Sequence, residues 1–188
     1  RILSSFSGDR ILCQNYIDGV DIYTTIGDTV GVDRSGAKQL VLGMMYGIGP
    51  EKIATSIGVS SSDARDLLDD FSRKFPSVSK YKRQVIAETR RRGPVPYALT
   101  YMNRRRYLPD ILSREMGKRA GAERQAFNTV IQGSAADLIK LAMVRADGLI
   151  PDKAAMILTI HDELVTVAPK EIIEETAAAI REAMEGIK

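Results

Sequence analysis

A chain of 188 residues that is 44% hydrophobic and 27% charged has a globular composition, enough for one domain or two small subdomains sharing a core. Its longest apolar run, LVLGMMYGIG, spans ten residues, too short to cross a bilayer, and Cys13 is alone, which excludes an internal disulfide or a cysteine-based zinc site and favours a reducing, cytoplasmic compartment. The net charge of +3 is uneven: residues 1–33 carry two bases and five acids (−3), residues 34–125 nineteen and nine (+10), and residues 126–188 six and ten (−4), so a polyanion is expected on the middle of the chain.

No element is assigned over residues 1–33. Helical periodicity then runs over Arg34–Gly47, stopped by Gly47 and by Gly49-Pro50. A short helix follows at Pro50–Ile57, ended by Gly58. Ser60–Lys74 reads as another, with SSSD as its cap. Pro76 sits near the start of a fourth, Ser77–Arg92, ended by Gly93-Pro94. Residues 94–108 read as extended. A long helix is predicted from about Glu115 to Asp147. After it, ILTIHDELVTV reads as two buried strands joined at His161-Asp162-Glu163, and Lys170–Gly186 as a last helix. Helices first and a helix-backed hairpin after them make an α+β fold.

Three of these elements carry candidate chemistry. Arg34, Lys38, Leu42 and Tyr46 are four apart, so on a helix they form one slowly drifting stripe about 18 Å long. Its two cations stand at the N-terminal end, where they oppose the helix dipole but suit a chain of phosphates; the apolar side chain and ring beyond them suit a sugar and a base. An amphipathic helix with exposed cations fits the spacing equally well. On the long helix Arg124, Asn128 and Gln132 are again four apart. These donors match the minor-groove acceptors common to every base pair; a helix-capping network fits too. Asp162 and Glu163 are neighbours, so on an extended chain they point to opposite faces and only one can face a given cation. A polar hairpin turn accounts for the same residues.

RSGAKQLVLGMMYG, AERQAFNTVIQGSAADLIKLAM and HDELV, in that order and together with RILSSFSGD and NRRRYLPD, resemble the family A DNA polymerases of the bacterial DNA polymerase I type. The resemblance covers essentially the whole chain. It implies part of a right-hand polymerase: residues 1–14 at a palm/fingers junction, 15–114 as helical fingers, and 115–188 as part of an antiparallel-sheet palm backed by helices. It implies that Arg34 and Lys38 hold an incoming deoxynucleoside triphosphate, that Leu42 lies against its sugar and base, and that Tyr46 fills the templating-base slot. Tyr23 joins the nucleotide site. Arg124, Asn128 and Gln132 lie along the minor groove of the primer–template, with the dense cations Arg104 and Arg105 also toward DNA. Asp162 is one of two metal-binding aspartates that hold a pair of Mg²⁺ ions, and His161 and Glu163 flank it near the primer end.

The sequence also departs from the family pattern. The other metal aspartate belongs to a motif whose last residue matches Arg1, so the first aspartate, the thumb and the rest of the palm are expected as partners supplied from outside this chain. Without them the isolated chain is expected to be inactive, and a non-catalytic piece that binds DNA and nucleotide stays open. Tyr23 stands where the family usually has His, and Leu42 where it usually has Phe or Tyr, which favours a phage-type origin. A nucleoid or phage-infected cytoplasm is the expected location.

Overall fold

The computed structural model describes residues 1–187; Lys188, the end of the expected palm segment, lies outside the described residues. The chain divides into two compact units, Arg1–Ile131 and Gln132–Lys188.

The first unit is helical. It opens with three short helices that the sequence pattern missed, α1 (Ile2–Ser7), α2 (Arg10–Ile17) and α3 (Ile22–Val30). Their starts are nevertheless written locally: Asp9 accepts from the Leu12 N–H and Asp21 from those of Tyr23 and Thr24, which satisfies donors that a helix start leaves free. Next come α4 (Arg34–Tyr46), α5 (Pro50–Ile57), α6 (Ser61–Lys74) and α7 (Pro76–Arg91), close to their expected spans. Gly47 and Gly58 end α4 and α5 in the left-handed region, at φ +62° and +73°, where other residues are strained. Ser60 and Asp63 close a reciprocal capping box on α6, and Pro76 opens α7.

Residues 94–108, expected to be extended, form a small antiparallel hairpin of β1 (Tyr97–Leu99) and β2 (Arg105–Tyr107), with Ala98 opposite Arg106. Its loop turns through Asn103, held at φ +58°, a conformation asparagine tolerates. A 3₁₀ turn at Pro109–Leu112 leads to α8 (Met116–Asn128). The core of this unit gathers Ile26, Leu40, Phe71, Phe75, Val78 and Phe127 from α3, α4, α6, α7 and α8, with the Phe71 and Phe75 rings 4.8 Å apart.

Tyr81 of α7 meets Phe6 and Phe127 edge-on at 6.1 and 6.2 Å. Burial, with a further push from Glu88, raises its hydroxyl to about 12. The unfolded chain therefore loses this proton at a lower pH than the folded one. The stability it contributes is complete below about pH 10 and is lost as pH rises toward 12. Tyr81→Phe should flatten that part of the pH–stability curve, as urea unfolding at intervals from about pH 9 to 12 would read out.

The single long helix expected from Glu115 to Asp147 is interrupted. A π turn at Thr129–Gly133 separates α8 from α9 (Ser134–Asp147). Such a turn inserts an extra residue into the ladder, which periodicity averaged over the whole segment does not register.

The second unit also holds a hairpin of β3 (Ala155–Ile160) and β4 (Glu163–Val167), a 3₁₀ turn at Lys170–Ile172, and α10 (Ile173–Glu185). Arg145 of α9 donates to the Gly186 carbonyl at 2.7 Å and to Glu182 at 3.1 Å, placing a cation at the C-terminal end of α10, where the dipole favours it. The hairpin is antiparallel with Ile160 opposite Glu163 and an irregularity between Met156 and Leu158. The two strands are not buried, contrary to the sequence expectation: Ile157 is 59% and Leu158 53% exposed. A ribbon of two strands has too few neighbours to cover both of its faces.

Candidate functional site

The N-terminal end of α4 gathers three of the expected nucleotide residues, Arg34, Lys38 and Tyr23, and adds Asp21 beside them. Asp33 caps the helix by accepting from the Gly36 N–H at 2.7 Å. One residue on, Arg34 donates from Nε to Asp21 at 2.6 Å, and its guanidinium lies 5.6 Å from the Tyr23 ring centroid. Asp21 was not legible as a site residue; its only sequence signal is a cap before α3. Its carboxyl is held below the ordinary range, first by the hydrogen bond from Arg34 and then by the Tyr23 backbone N–H. Lys38, one turn further along, is exposed and makes no ion pair among the described residues. Leu42 and Tyr46 continue the stripe, both half-buried. The arrangement is a tethered cation, an open cation, an aliphatic side chain and a ring along one helix.

The C-terminal end of α4 is gripped instead. Gly47 has no room for a side chain: a Cβ there would fall 2.2 Å from the Arg124 side chain. The Arg124 stem thus lies over the cap residue that follows Tyr46, which brings an expected DNA residue of α8 to the helix that carries the expected nucleotide residues. Asn128, one turn along α8, has a buried side-chain oxygen with no hydrogen-bond partner among the described residues; such an atom is expected to meet water or a ligand. The expected stripe Arg124–Asn128–Gln132 is not a continuous α-helical face, because the π turn intervenes and Gln132 belongs to the second unit.

On the β1–β2 hairpin, Arg104 is exposed and Arg105 lies 4.9 Å from the Tyr97 ring centroid. The Tyr97 ring stands edge-on to Tyr107 at 5.8 Å. This is a cation–aromatic surface of the kind that suits a nucleic-acid strand. Arg106, which the sequence did not single out, donates to Thr129 and Gln125 and so ties the hairpin to the end of α8.

In the second unit the expected metal residue occupies a turn. His161 and Asp162 are the two residues between β3 and β4, and Glu163 begins β4. His161 stands at φ +54°, as the first central residue of some tight hairpins must. Asp162 is therefore not a strand residue facing oppositely to Glu163, as an extended chain would have it; it projects from the tip. All three are exposed. Among the described residues no group of three His, Cys, Asp or Glu side chains is placed to hold a metal. Asp162 fits a hard cation as one ligand, and the described residues do not form a whole metal site.

Over residues 1–188 the chain matches the sequence signature of DNA polymerase family A. It is 37% identical over 197 residues to the thermostable DNA polymerase I of Thermus aquaticus, covering 100% of this chain and 23% of that protein. It is 34% identical over 198 residues to DNA polymerase I of Streptococcus pneumoniae, covering 98% of this chain and 22% of that one. In structure it is similar to the POL domain of Pol1 from M. smegmatis, solved in complex with DNA primer-template and dNTP, at TM-score 0.90 and 30% identity, covering 98% of this chain and 34% of that chain. The chain thus spans about a quarter of the length of the curated relatives it matches. No helix among the described residues is long and apolar enough to cross a membrane.

Proposed function

The chain belongs to DNA polymerase family A, and from that premise we propose that it serves template-directed DNA synthesis, adding deoxynucleotides from dNTP to a primer 3′-OH, as the fingers and part of the palm of a larger polymerase. The observation that carries this reading is the open N-terminal end of α4, where exposed Arg34 and Lys38 lie one turn apart, with Leu42 and Tyr46 beyond them.

In this reading Lys38 and Arg34 take the triphosphate oxygens. They stabilise the charge that builds on the leaving pyrophosphate as the 3′-oxygen attacks the α-phosphorus. Leu42 borders the sugar, Tyr23 stands beside it, and Tyr46 occupies the templating-base slot until the correct nucleotide arrives. Arg124, Asn128 and Gln132 follow the minor groove, whose acceptors are common to all base pairs. Arg104 and Arg105 hold DNA phosphates. Asp162 would be this chain's ligand to a pair of Mg²⁺ ions, which when bound neutralise charge on the entering and leaving oxygens; His161 and Glu163 shape the turn that presents it. Because the described residues offer one such ligand and no cluster, the other carboxylates would come from the remainder of the polymerase. The exposed apolar side chains of β3, Ile157 and Leu158, support a packing partner for this hairpin as well.

Leu42 gives a test of the nucleotide site. Leucine offers no hydroxyl and no ring face, so the complete polymerase should discriminate strongly against 2′,3′-dideoxynucleotides. Leu42→Tyr should relax that discrimination by about tenfold or more, because the phenol can replace a hydrogen bond lost with the sugar hydroxyl. Competition between dideoxy- and deoxynucleotide on one template measures the ratio. An unchanged ratio would mean that Leu42 packs within the fingers and does not touch the sugar.

A further inference from the structure

One half-buried cation is used by none of the roles above. Lys82 of α7 is half-buried, and its Nζ donates to the Met44 carbonyl of α4 at 3.0 Å. It also lies 5.7 Å from the centroid of Phe127, a fully buried ring of α8. Glu123 and Arg124 of α8 face the same ammonium, Glu123 being paired with Arg90 of α7. Burial holds the ammonium below the usual lysine range, so the position is an uncomfortable one for a cation without a compensating contact.

The compensating contact sits where a helix needs it. The last carbonyls of a helix have no partner within it. At the end of α4 the Gly47 N–H turns to the Gly43 carbonyl, and so does the Ile48 N–H, at 2.8 Å. Ile48 would otherwise have served Met44. The Met44 carbonyl is left to Lys82, a cation at the C-terminal end of a dipole, where it is favoured. In the same turn the Arg124 stem fills the space over Gly47. The two ends of α4 are therefore held unequally. The N-terminal end is restrained by an exposed ion pair between Arg34 and Asp21, the C-terminal end by a half-buried ammonium shared among three helices.

We propose that Lys82 is a positioning residue: by clamping the Met44 carbonyl to α7 and α8 it fixes the last turn of α4, and with it the place from which Tyr46 tests the template. The role in selection rests on the polymerase reading above; the clamp itself does not. Lys82 touches no substrate in this proposal and acts through the backbone two residues before Tyr46.

The test compares Lys82→Met, which keeps an aliphatic stem of similar length and removes the donor, with Lys82→Arg, which restores a donor. Both are made in the complete polymerase. Hydrogen exchange of the Tyr46–Ile48 amides reads the clamp: it should quicken at least tenfold in Lys82→Met and return toward wild type in Lys82→Arg. The ratio of kcat/KM for correct over mispaired nucleotide reads the consequence: it should fall about fivefold in Lys82→Met and recover in Lys82→Arg. Unchanged exchange in a folded Lys82→Met protein overturns the clamp. Quickened exchange with an unchanged ratio, or an equal loss for correct and mispaired nucleotides, overturns the positioning role and leaves a helix cap. A wild-type protein that adds no nucleotide would count against the polymerase reading alone, and the exchange comparison would still decide the clamp.

Discussion

Asp162→Ala in the complete polymerase should lower nucleotide addition by about three orders of magnitude or more while leaving primer–template affinity within about twofold. A carboxylate that helps hold catalytic cations serves several kcal/mol of charge stabilisation in the transition state, whereas affinity for duplex comes mainly from phosphate contacts made elsewhere. The position makes the test clean. Asp162 is exposed at a two-residue turn, so its removal leaves no buried partner unsatisfied, and the strand register is set by the Ile160–Glu163 pair beside it. Single-turnover extension together with a DNA-binding isotherm separates the two quantities. Near-normal turnover, or a loss confined to DNA binding, would remove Asp162 from the metal role.

Lys38→Ala should cost about 10- to 100-fold in kcat/KM for the incoming nucleotide, with duplex affinity and its salt dependence nearly unchanged. A charge-assisted contact to a phosphate oxygen is worth about 1.5–3 kcal/mol, and among the described residues Lys38 has no ion pair to give up before making it. Arg34→Ala should cost less. Arg34 begins bound to Asp21 at 2.6 Å, and giving up that exposed pair takes back a small part of what the triphosphate contact gains. The order of the two effects is therefore part of the prediction. Steady-state nucleotide kinetics beside duplex binding at several salt concentrations provides the measurement. If duplex affinity falls and nucleotide kinetics do not, the α4 stripe contacts the DNA backbone.

The helices from α4 to α7 were legible residue by residue because their limits are local. A glycine that accepts a left-handed φ at Gly47 and Gly58, a serine and an aspartate three apart at Ser60 and Asp63, and a proline at Pro76 each act within a turn of their own position. The Asp33 cap on Arg34 is equally local, although the sequence reading did not single it out. The family was legible for another reason: the order and spacing of several motifs resemble one polymerase family, whose match extends over residues 1–188, and the candidate site residues rest on that resemblance.

What only the tertiary structure decided are contacts between residues far apart in the chain. Arg34 meets Asp21 thirteen residues away, Arg106 meets Thr129 twenty-three away, and Lys82 meets the Met44 carbonyl thirty-eight away. No local period encodes such pairs, because a lysine on an amphipathic helix looks the same whether it reaches water or a neighbouring carbonyl. The π turn at Thr129–Gly133 escaped for a related reason: one extra residue in a ladder shifts everything after it without changing the composition on either side. The exposed apolar face of β3 shows the reverse limit. Ile157 and Leu158 have the side chains of a buried strand, but burial requires neighbours, and the two strands of this hairpin are too few to supply them.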